Sequence, residues 1–292
     1  MGFDTRIGAA SIAEAFYPGI IVTSGDAEDT IETVQEISER VGAVVAPSVE
    51  ACRHTADRMA VRKQANEELG LPVLDYEFAA TPQEMHDAVE RIGYPCVVKA
   101  PTSKDGEGFS FVHSDADLAD AWRAADRGLG QGAVVERFID FDFEVTILAA
   151  RSIDPSTGEL ATWFCEPIGT RHREGRLVES WQPAPLPEAA MDNARSIAAR
   201  ITGALASCGI FSVEMFVSGD DVYFSQVTPR PSRDGLVTFV TQRINQFDLQ
   251  AHATQRLPID STLISPGAVR FLEGHPSQAA LAAAMALSLI HI

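Results

Sequence analysis

A chain of 292 residues, 46% hydrophobic and 22% charged, has the composition of a soluble globular protein and enough length for two domains. Its net charge is −18, and no Lys/Arg run exceeds the Arg62-Lys63 pair. This argues against nucleic acid or an anionic membrane as the main partner. A polyanion would have to be held by a few placed cations and a metal.

The four cysteines, Cys52, Cys96, Cys165 and Cys208, show no metal-ligand spacing. Cys96 and Cys165 sit in apolar runs and read as reduced core residues of a cytoplasmic protein. The N-terminus has no basic-then-apolar signal pattern, and the apolar stretch 279–292 is too short to span a bilayer. Residues 20–22, 26–40 and 43–46 read as strand, helix and strand, one parallel β-α-β unit of a partial N-terminal domain. A helix follows over 55–69, stopped by Gly70-Leu71-Pro72. Thr81-Pro82-Gln83-Glu84 is a capping box opening a helix to Ile92.

Next come a strand over 96–100, a glycine-bearing turn over 102–108, a strand over 109–113 and a helix over 115–127. Strands over 133–138 and 143–150 precede an antiparallel excursion over 160–180 and a helix over 188–207. Gly128-Leu129-Gly130-Gln131-Gly132 follows a helix and precedes a strand, the reverse of a dinucleotide fingerprint, and reads as a loop. The order gives an α+β fold rather than one doubly wound throughout.

The chemistry concentrates at a hairpin. Residues 212–217 and 222–227 flank Ser218-Gly219-Asp220-Asp221. Glu214 and Gln226 are equidistant from Asp220, so an odd loop centred there sets them opposite each other on one face, whereas a two-residue loop puts them on opposite faces. Such a pair fits either a solvated edge or a binding site. The stiff exit Thr228-Pro229-Arg230-Pro231 favours binding: oxygen ligands for a hard cation beside a guanidinium make a phosphoryl-transfer corner.

Lys99, in the strand Cys96-Val97-Val98-Lys99, shares a face with Val97. Alone it is a snorkelling edge lysine as readily as a phosphate ligand. The turn Ser103-Lys104-Asp105-Gly106-Glu107-Gly108 favours the second, because its glycines let backbone N–H groups close over phosphates. A plain hairpin turn has the same look, and Asp105 and Glu107 are poor company for a triphosphate. Glu136-Arg137-Phe138-Ile139 reads as a segment between two lobes whose backbone edge suits an adenine, with Ile139 over its face. Glu144 is a carboxylate able to accept from ribose hydroxyls. No H-x-x-x-H or G-x-S-x-G motif is present, which disfavours zinc hydrolysis and serine esterase chemistry.

Lys99, the glycine turn, residues 136–144, Glu214 and the Pro229-Arg230-Pro231 exit together resemble the ATP-grasp superfamily. Within it, Arg91-Ile92-Gly93-Tyr94-Pro95-Cys96-Val97-Val98-Lys99, Phe141-Asp142-Phe143-Glu144-Val145-Thr146, Glu179-Ser180-Trp181-Gln182-Pro183 and Thr228-Pro229-Arg230-Pro231 look like formate-dependent phosphoribosylglycinamide formyltransferase. The resemblance runs over roughly residues 20–267.

It implies an ATP- and Mg2+-using enzyme of purine synthesis, in which ATP phosphorylates formate and the amine of glycinamide ribonucleotide attacks the formyl phosphate. By position it gives phosphates to Arg58 and Lys99 and the flap to Ser103, Gly106 and Gly108. Adenine falls to Glu136 and Ile139, ribose to Glu144, the metal to Glu214 and Gln226, and catalysis to Arg230, with Asp234 the candidate substitute for a family carboxylate that falls at Arg233. It implies a homodimer with small-molecule substrates and no nucleic acid or membrane partner.

The chain departs from the family's pattern. Gln226 stands for a glutamate, Glu107 for the flap lysine and Ser212 for a glycine. Ser232-Arg233-Asp234-Gly235 replaces His-Asp-Thr-Gly. Two alternatives follow: a catalytically silent relative that binds nucleotide or a partner, and another ATP-grasp carboxylate–amine ligase. The expected organisation is a partial pre-ATP-grasp α/β unit (1–54), a two-lobed ATP-grasp domain (55–250, with lobes at about 72–135 and 136–250) and a truncated C-terminal segment (251–292).

Overall fold

The computed structural model describes residues 20–21, 28–41, 44–102, 108–173, 175–271 and 277–279. The flap residues Ser103 and Gly106 and the tail 280–292 lie outside them. Strands β1 (Ile20–Ile21) and β2 (Val44–Val45) pair in parallel around helix α1 (Glu28–Val41). This is the β-α-β unit expected from the sequence. α1 buries Ile31, Val34 and Ile37, a helical spacing that presses one stripe inward.

The helix expected over 55–69 is instead α2 (Val49–Ala56), α3 (Arg58–Lys63) and a π-helical turn, Gln64–Glu68. Asp57 makes the break. Its backbone is extended, and its carboxylate accepts the N–H groups of Met59 and Ala60 at 2.9 and 3.1 Å. An aspartate that caps the next helix costs the first one its continuity.

Four antiparallel strands form the smaller sheet, in the order β3-β6-β4-β5: β3 (Tyr76–Ala79), β4 (Cys96–Lys99), β5 (Ser110–Val112) and β6 (Ala133–Arg137). Helices α4 (Pro82–Ile92) and α5 (Leu118–Asp126) cover one face, enclosing Met85, Val89, Val98, Val112 and Val135. α4 begins as its capping residues require. Thr81 Oγ1 accepts from Glu84 N, and Glu84 accepts from Ala80 N. Gly128, Gly130 and Gly132 all have positive φ in a loop.

The larger, seven-stranded sheet runs β12-β11-β7-β9-β10-β13, with β8 also paired to β7. Its strands are β7 (Phe143–Ile153), β8 (Leu160–Phe164), β9 (Ile168–Arg173), β10 (Arg176–Gln182), β11 (Gly209–Ser218), β12 (Asp221–Thr228) and β13 (Gly267–Arg270). Helix α6 (Glu188–Ala204) and residues of α2 and α3 cover one face, packing Ala194, Ile201, Ala51 and Val61 on Val145, Ile147, Val213 and Met215. Past the short α7 (Thr238–Thr241), helix α8 (Gln246–Gln255) seats Leu249 on the other face, against Leu148, Ala150 and Ile210.

The boundary expected at residue 250 therefore falls inside α8. β13 pairs with β10, Trp181 opposite Ala268, so the described residues up to 271 are built into the larger lobe. Cys96 and Cys165 are fully buried, and burial pushes their thiols up to about 11 and about 12. Among the described residues no helix is long and apolar enough to cross a membrane.

Candidate active site between the two sheets

Strand alternation divides the larger sheet's second face into two halves. On β7 the even-numbered residues Leu148 and Ala150 lie under α8, and Glu144 and Thr146 continue the same face beyond it. On β11, Ile210 lies under α8 and Glu214 and Phe216 extend beyond. Register pairs Glu214 with Thr146 and Phe216 with Glu144. A polar surface results where the helix stops, and it opens on a cleft of about 1100 Å³ whose other wall is the smaller sheet. Val97 and Lys99 of β4 and Glu136 of β6 line that wall, the face opposite Val98 and Val135.

The hairpin reaches its register by an unexpected route. Ser218 pairs with Asp221, which is a two-residue turn, and Val217 with Val222. Taken alone, that loop would send Glu214 and Gln226 to opposite faces. A bulge at Ser225 shifts the ladder by one, so Met215 pairs with Phe224 but Glu214 pairs with Gln226. The two oxygen-bearing side chains are opposite after all. The signal was present in the sequence: Val222, Phe224 and Val227 are all in the core, so the inward spacing changes from two to three where the extra residue sits.

Glu214 belongs to an acidic corner. Asp234 opens a 3-10 turn after the Pro-Arg-Pro exit, is buried, and accepts from Thr146 Oγ1 at 2.7 Å. Burial raises the Glu214 carboxyl to about 7, with Asp234 and Glu144 adding to the rise and His172 and Arg58 opposing it. Burial likewise raises Asp234, against the Thr146 hydrogen bond and His172. Glu144 meets His172 Nδ1 at 2.7 Å.

His172 is a site residue that no sequence motif singles out. It lies two residues beyond Thr170, which pairs with Glu144 in the ladder, so it shares a face with its partner. Burial lowers the imidazole, but Glu144, Asp234 and Glu214 together leave it raised.

On the opposite wall Lys99 Nζ lies 2.7 Å from Glu136 Oε2, and Arg62 Nη1 lies 3.0 Å from Glu136 Oε1. Lys99 is therefore no snorkelling edge residue. Burial lowers its amine, and Glu136 opposes that. Glu136 is the counterpart of Glu214: burial raises its carboxyl too, but Arg62 and Lys99 win and hold it at about 2. The Glu136 carboxylate is taken by two cations, and the residue is laddered to both Tyr76 and Val97. Chain not engaged by those strands begins only at Phe138.

Ile139, Arg58, Gln226, Arg230 and Asp234 all line the cleft, as do Phe138 and Arg233. Arg233 also stacks on Phe271, 5.0 Å from the ring centre. Gly108 closes the base of the turn that follows Lys99: Ala100 N donates to its carbonyl at 3.0 Å, its φ is +73°, and a Cβ there would come 2.7 Å from that of Ala100.

The Glu179-to-Pro183 motif acquires a structural cause. A Cβ on Gly169 would overlap the Trp181 ring, and Trp181 lines the cleft. Gln182 is buried, donates to Glu166 O at 2.6 Å and accepts from Thr241 Oγ1 at 2.5 Å.

The donor set fits a hard divalent cation. Glu214 and Gln226 offer oxygen atoms from paired positions, and the mutual repulsion of Glu214, Asp234 and Glu144 is relieved by added positive charge. It also fits a polyphosphate, since Arg58 and Lys99 face the same space.

Comparisons with known proteins agree. Residues 64–247 match the ATP-grasp domain. The formate-dependent phosphoribosylglycinamide formyltransferase of Corynebacterium efficiens is 50% identical over 260 residues, covering 88% of this chain and 64% of that protein. That of Paraburkholderia xenovorans is 41% identical over 280 residues, covering 95% and 69%. Among solved structures, glycinamide-RNase-transformylase T from Mycobacterium tuberculosis superposes with a TM-score of 0.73 at 33% identity, covering 90% of this chain and 71% of that one. An ADP complex of N5-carboxyaminoimidazole ribonucleotide synthetase superposes with a TM-score of 0.77 at 25% identity, covering 92% and 68%. The chain spans 64% of the length of the first of these relatives. With the fold, the cleft and these likenesses agreeing, the chain belongs to the ATP-grasp family, among the formate-dependent phosphoribosylglycinamide formyltransferases.

Proposed function

We propose that the chain binds ATP between its two sheets and transfers a formyl group from formate to the amine of glycinamide ribonucleotide. The observation that carries this is the convergence of Lys99, Glu144 and Glu214, which stand 45 and 70 positions apart in sequence, on one cleft. Lys99 and Arg58 hold the phosphates as charge-assisted donors. Phe138 and Ile139 cover the adenine, and Glu144, steadied by His172, accepts from the ribose. Glu214 and Gln226 would hold magnesium, which would supply positive charge to offset the phosphate oxygens.

Arg230 orients the formate carboxylate. A formate oxygen attacks the γ-phosphorus and ADP departs, giving formyl phosphate. The acceptor amine then attacks the formyl carbon, phosphate leaves, and the amine sheds one proton, for which Asp234 is placed as acceptor. The substrates' identity and the homodimer are carried over from the family resemblance, and the cytoplasmic setting from the buried, reduced cysteines. Phosphates and a metal are what the cleft's own chemistry supports.

Purified chain supplied with ATP and magnesium is expected to release ADP only when formate is present, and to form formylated product only when glycinamide ribonucleotide is present as well. ADP release that needs no formate, or no formylated product with the full mixture, overturns the reading. Parallel assays with other carboxylates and amines separate it from a related ligase. The amide at Gln226 favours a second reading, a nucleotide binder with little turnover; a large gain of turnover in Gln226→Glu would count against it.

A further inference from the structure

Arg62 enters the sequence only as half of the longest basic run, yet it is buried, 4% exposed, behind the cleft wall that Glu136 and Lys99 line. It sits on α3, one turn beyond Arg58, so both guanidinium groups leave the same helix face. The helix itself is anchored in the larger lobe's core through Val61. From there Arg62 reaches in two directions. Nη1 meets Glu136 Oε1 of the smaller sheet at 3.0 Å, and Nη2 donates to the carbonyl of Ser225 at 2.9 Å. The Tyr76 ring lies beneath it, 5.4 Å away. Ser225 is the bulge residue that brings Gln226 opposite Glu214.

Charge makes this more than a packing contact. Lys99 and Glu136 alone are a closed neutral pair, and a lysine so paired has little left for a phosphate. Arg62 takes the other carboxylate oxygen, so the three groups together keep one positive charge, and Lys99 is the member nearest the open space, its side chain 15% exposed against 5% for Arg62.

Resting on the nucleotide reading above, we propose that Arg62 is a positioning residue. It offsets Glu136 so that Lys99 serves a polyphosphate, and it ties that lysine to the bulge that aligns Glu214 with Gln226. Arg62 touches no substrate itself; it acts through Glu136, Lys99 and the Ser225 carbonyl.

Calorimetry on the whole chain tests this with three probes in chelator, ADP, inorganic tripolyphosphate and adenosine, and with ADP again in the presence of magnesium. Arg62→Met is expected to weaken ADP and tripolyphosphate by about tenfold or more and adenosine by no more than about twofold. Arg62→Met/Glu136→Gln restores the charge count and is expected to return tripolyphosphate affinity to within about threefold of the parent. Arg62→Lys keeps the charge but cannot span both acceptors, so it keeps tripolyphosphate affinity and loses the magnesium-dependent gain in ADP affinity.

The proposal is overturned by unchanged tripolyphosphate binding in Arg62→Met, by an equal loss of adenosine, by a double variant no better than the single one, or by a full magnesium gain in Arg62→Lys. Should Arg62→Met not fold, Glu136→Gln against the double variant decides: the double variant must bind tripolyphosphate more weakly, and equal affinity overturns the proposal. A parent chain that binds tripolyphosphate but gains nothing from the nucleoside sinks the nucleotide reading and leaves the role of Arg62 standing. A parent that binds neither overturns both.

Discussion

Glu136 and Glu214 are the same residue type, both line one cleft, and burial pushes both carboxyls upward, yet they end at about 2 and about 7. The difference lies entirely in their neighbours. Glu136 has Arg62 and Lys99 on its two oxygens, while Glu214 has Asp234 and Glu144 beside it. The cleft is therefore polarised, with a wall that carries surplus positive charge facing a corner that carries surplus negative charge. A triphosphate with a divalent cation has that same polarity, and neither wall alone could hold it.

The largest break in this comparison is Glu136→Ala. It leaves two buried cations facing each other and is expected to cost about 3–5 kcal/mol, read in urea melts. Glu214→Gln in chelator should have the opposite sign, because it removes repulsion. If both substitutions destabilise equally, the polarity is not as described.

The same contrast fixes a pH dependence. Glu136, depressed, contributes stability that is present above 4.5 and lost as pH falls toward about 2. Glu214, raised, contributes stability that is present below 4.5 and lost as pH rises through about 7. For these two groups the metal-free chain is most stable near pH 4.5. A tenfold difference in proton affinity between the folded and unfolded chain corresponds to about 1.4 kcal/mol, enough to read by melts at pH 5 and 7.5 in chelator. A flat profile would show Glu214 to be at its ordinary value. Gln226→Glu sharpens the corner further: it should raise magnesium affinity by about tenfold, measured by calorimetry, while lowering metal-free stability.

Much of this is legible in the chain itself. The capping box at Thr81, the β-α-β unit and the face shared by Val97 and Lys99 are local properties of spacing and turn chemistry, and all three hold. What stays hidden depends on partners far along the chain. Asp57 is an ordinary helical residue until its carboxylate turns to cap α3. Glu136 looks like a free edge beside an adenine until Arg62 and Lys99, 74 and 37 positions away, close on it. The Ser225 bulge is readable in the inward spacing of its neighbours, whereas the loop length points the other way. β13 escapes notice because four residues of modest β character become a strand only by pairing with β10.

His172 tests the comparison at its mildest point. It sits at the edge of the acidic corner, where its proton is shared with Glu144 and favoured by Asp234 and Glu214. A raised imidazole contributes stability that is fully present below 6.5 and lost as pH climbs through the higher folded value. His172→Ala should flatten that limb of the melt profile and, by releasing Glu144, weaken ATP by about threefold. It should also leave tripolyphosphate unchanged, since the proposed function assigns the phosphates to Lys99 and Arg58. An equal loss for both probes would mean that Glu144 faces the phosphates, and the corner would have to be redrawn with the ribose elsewhere.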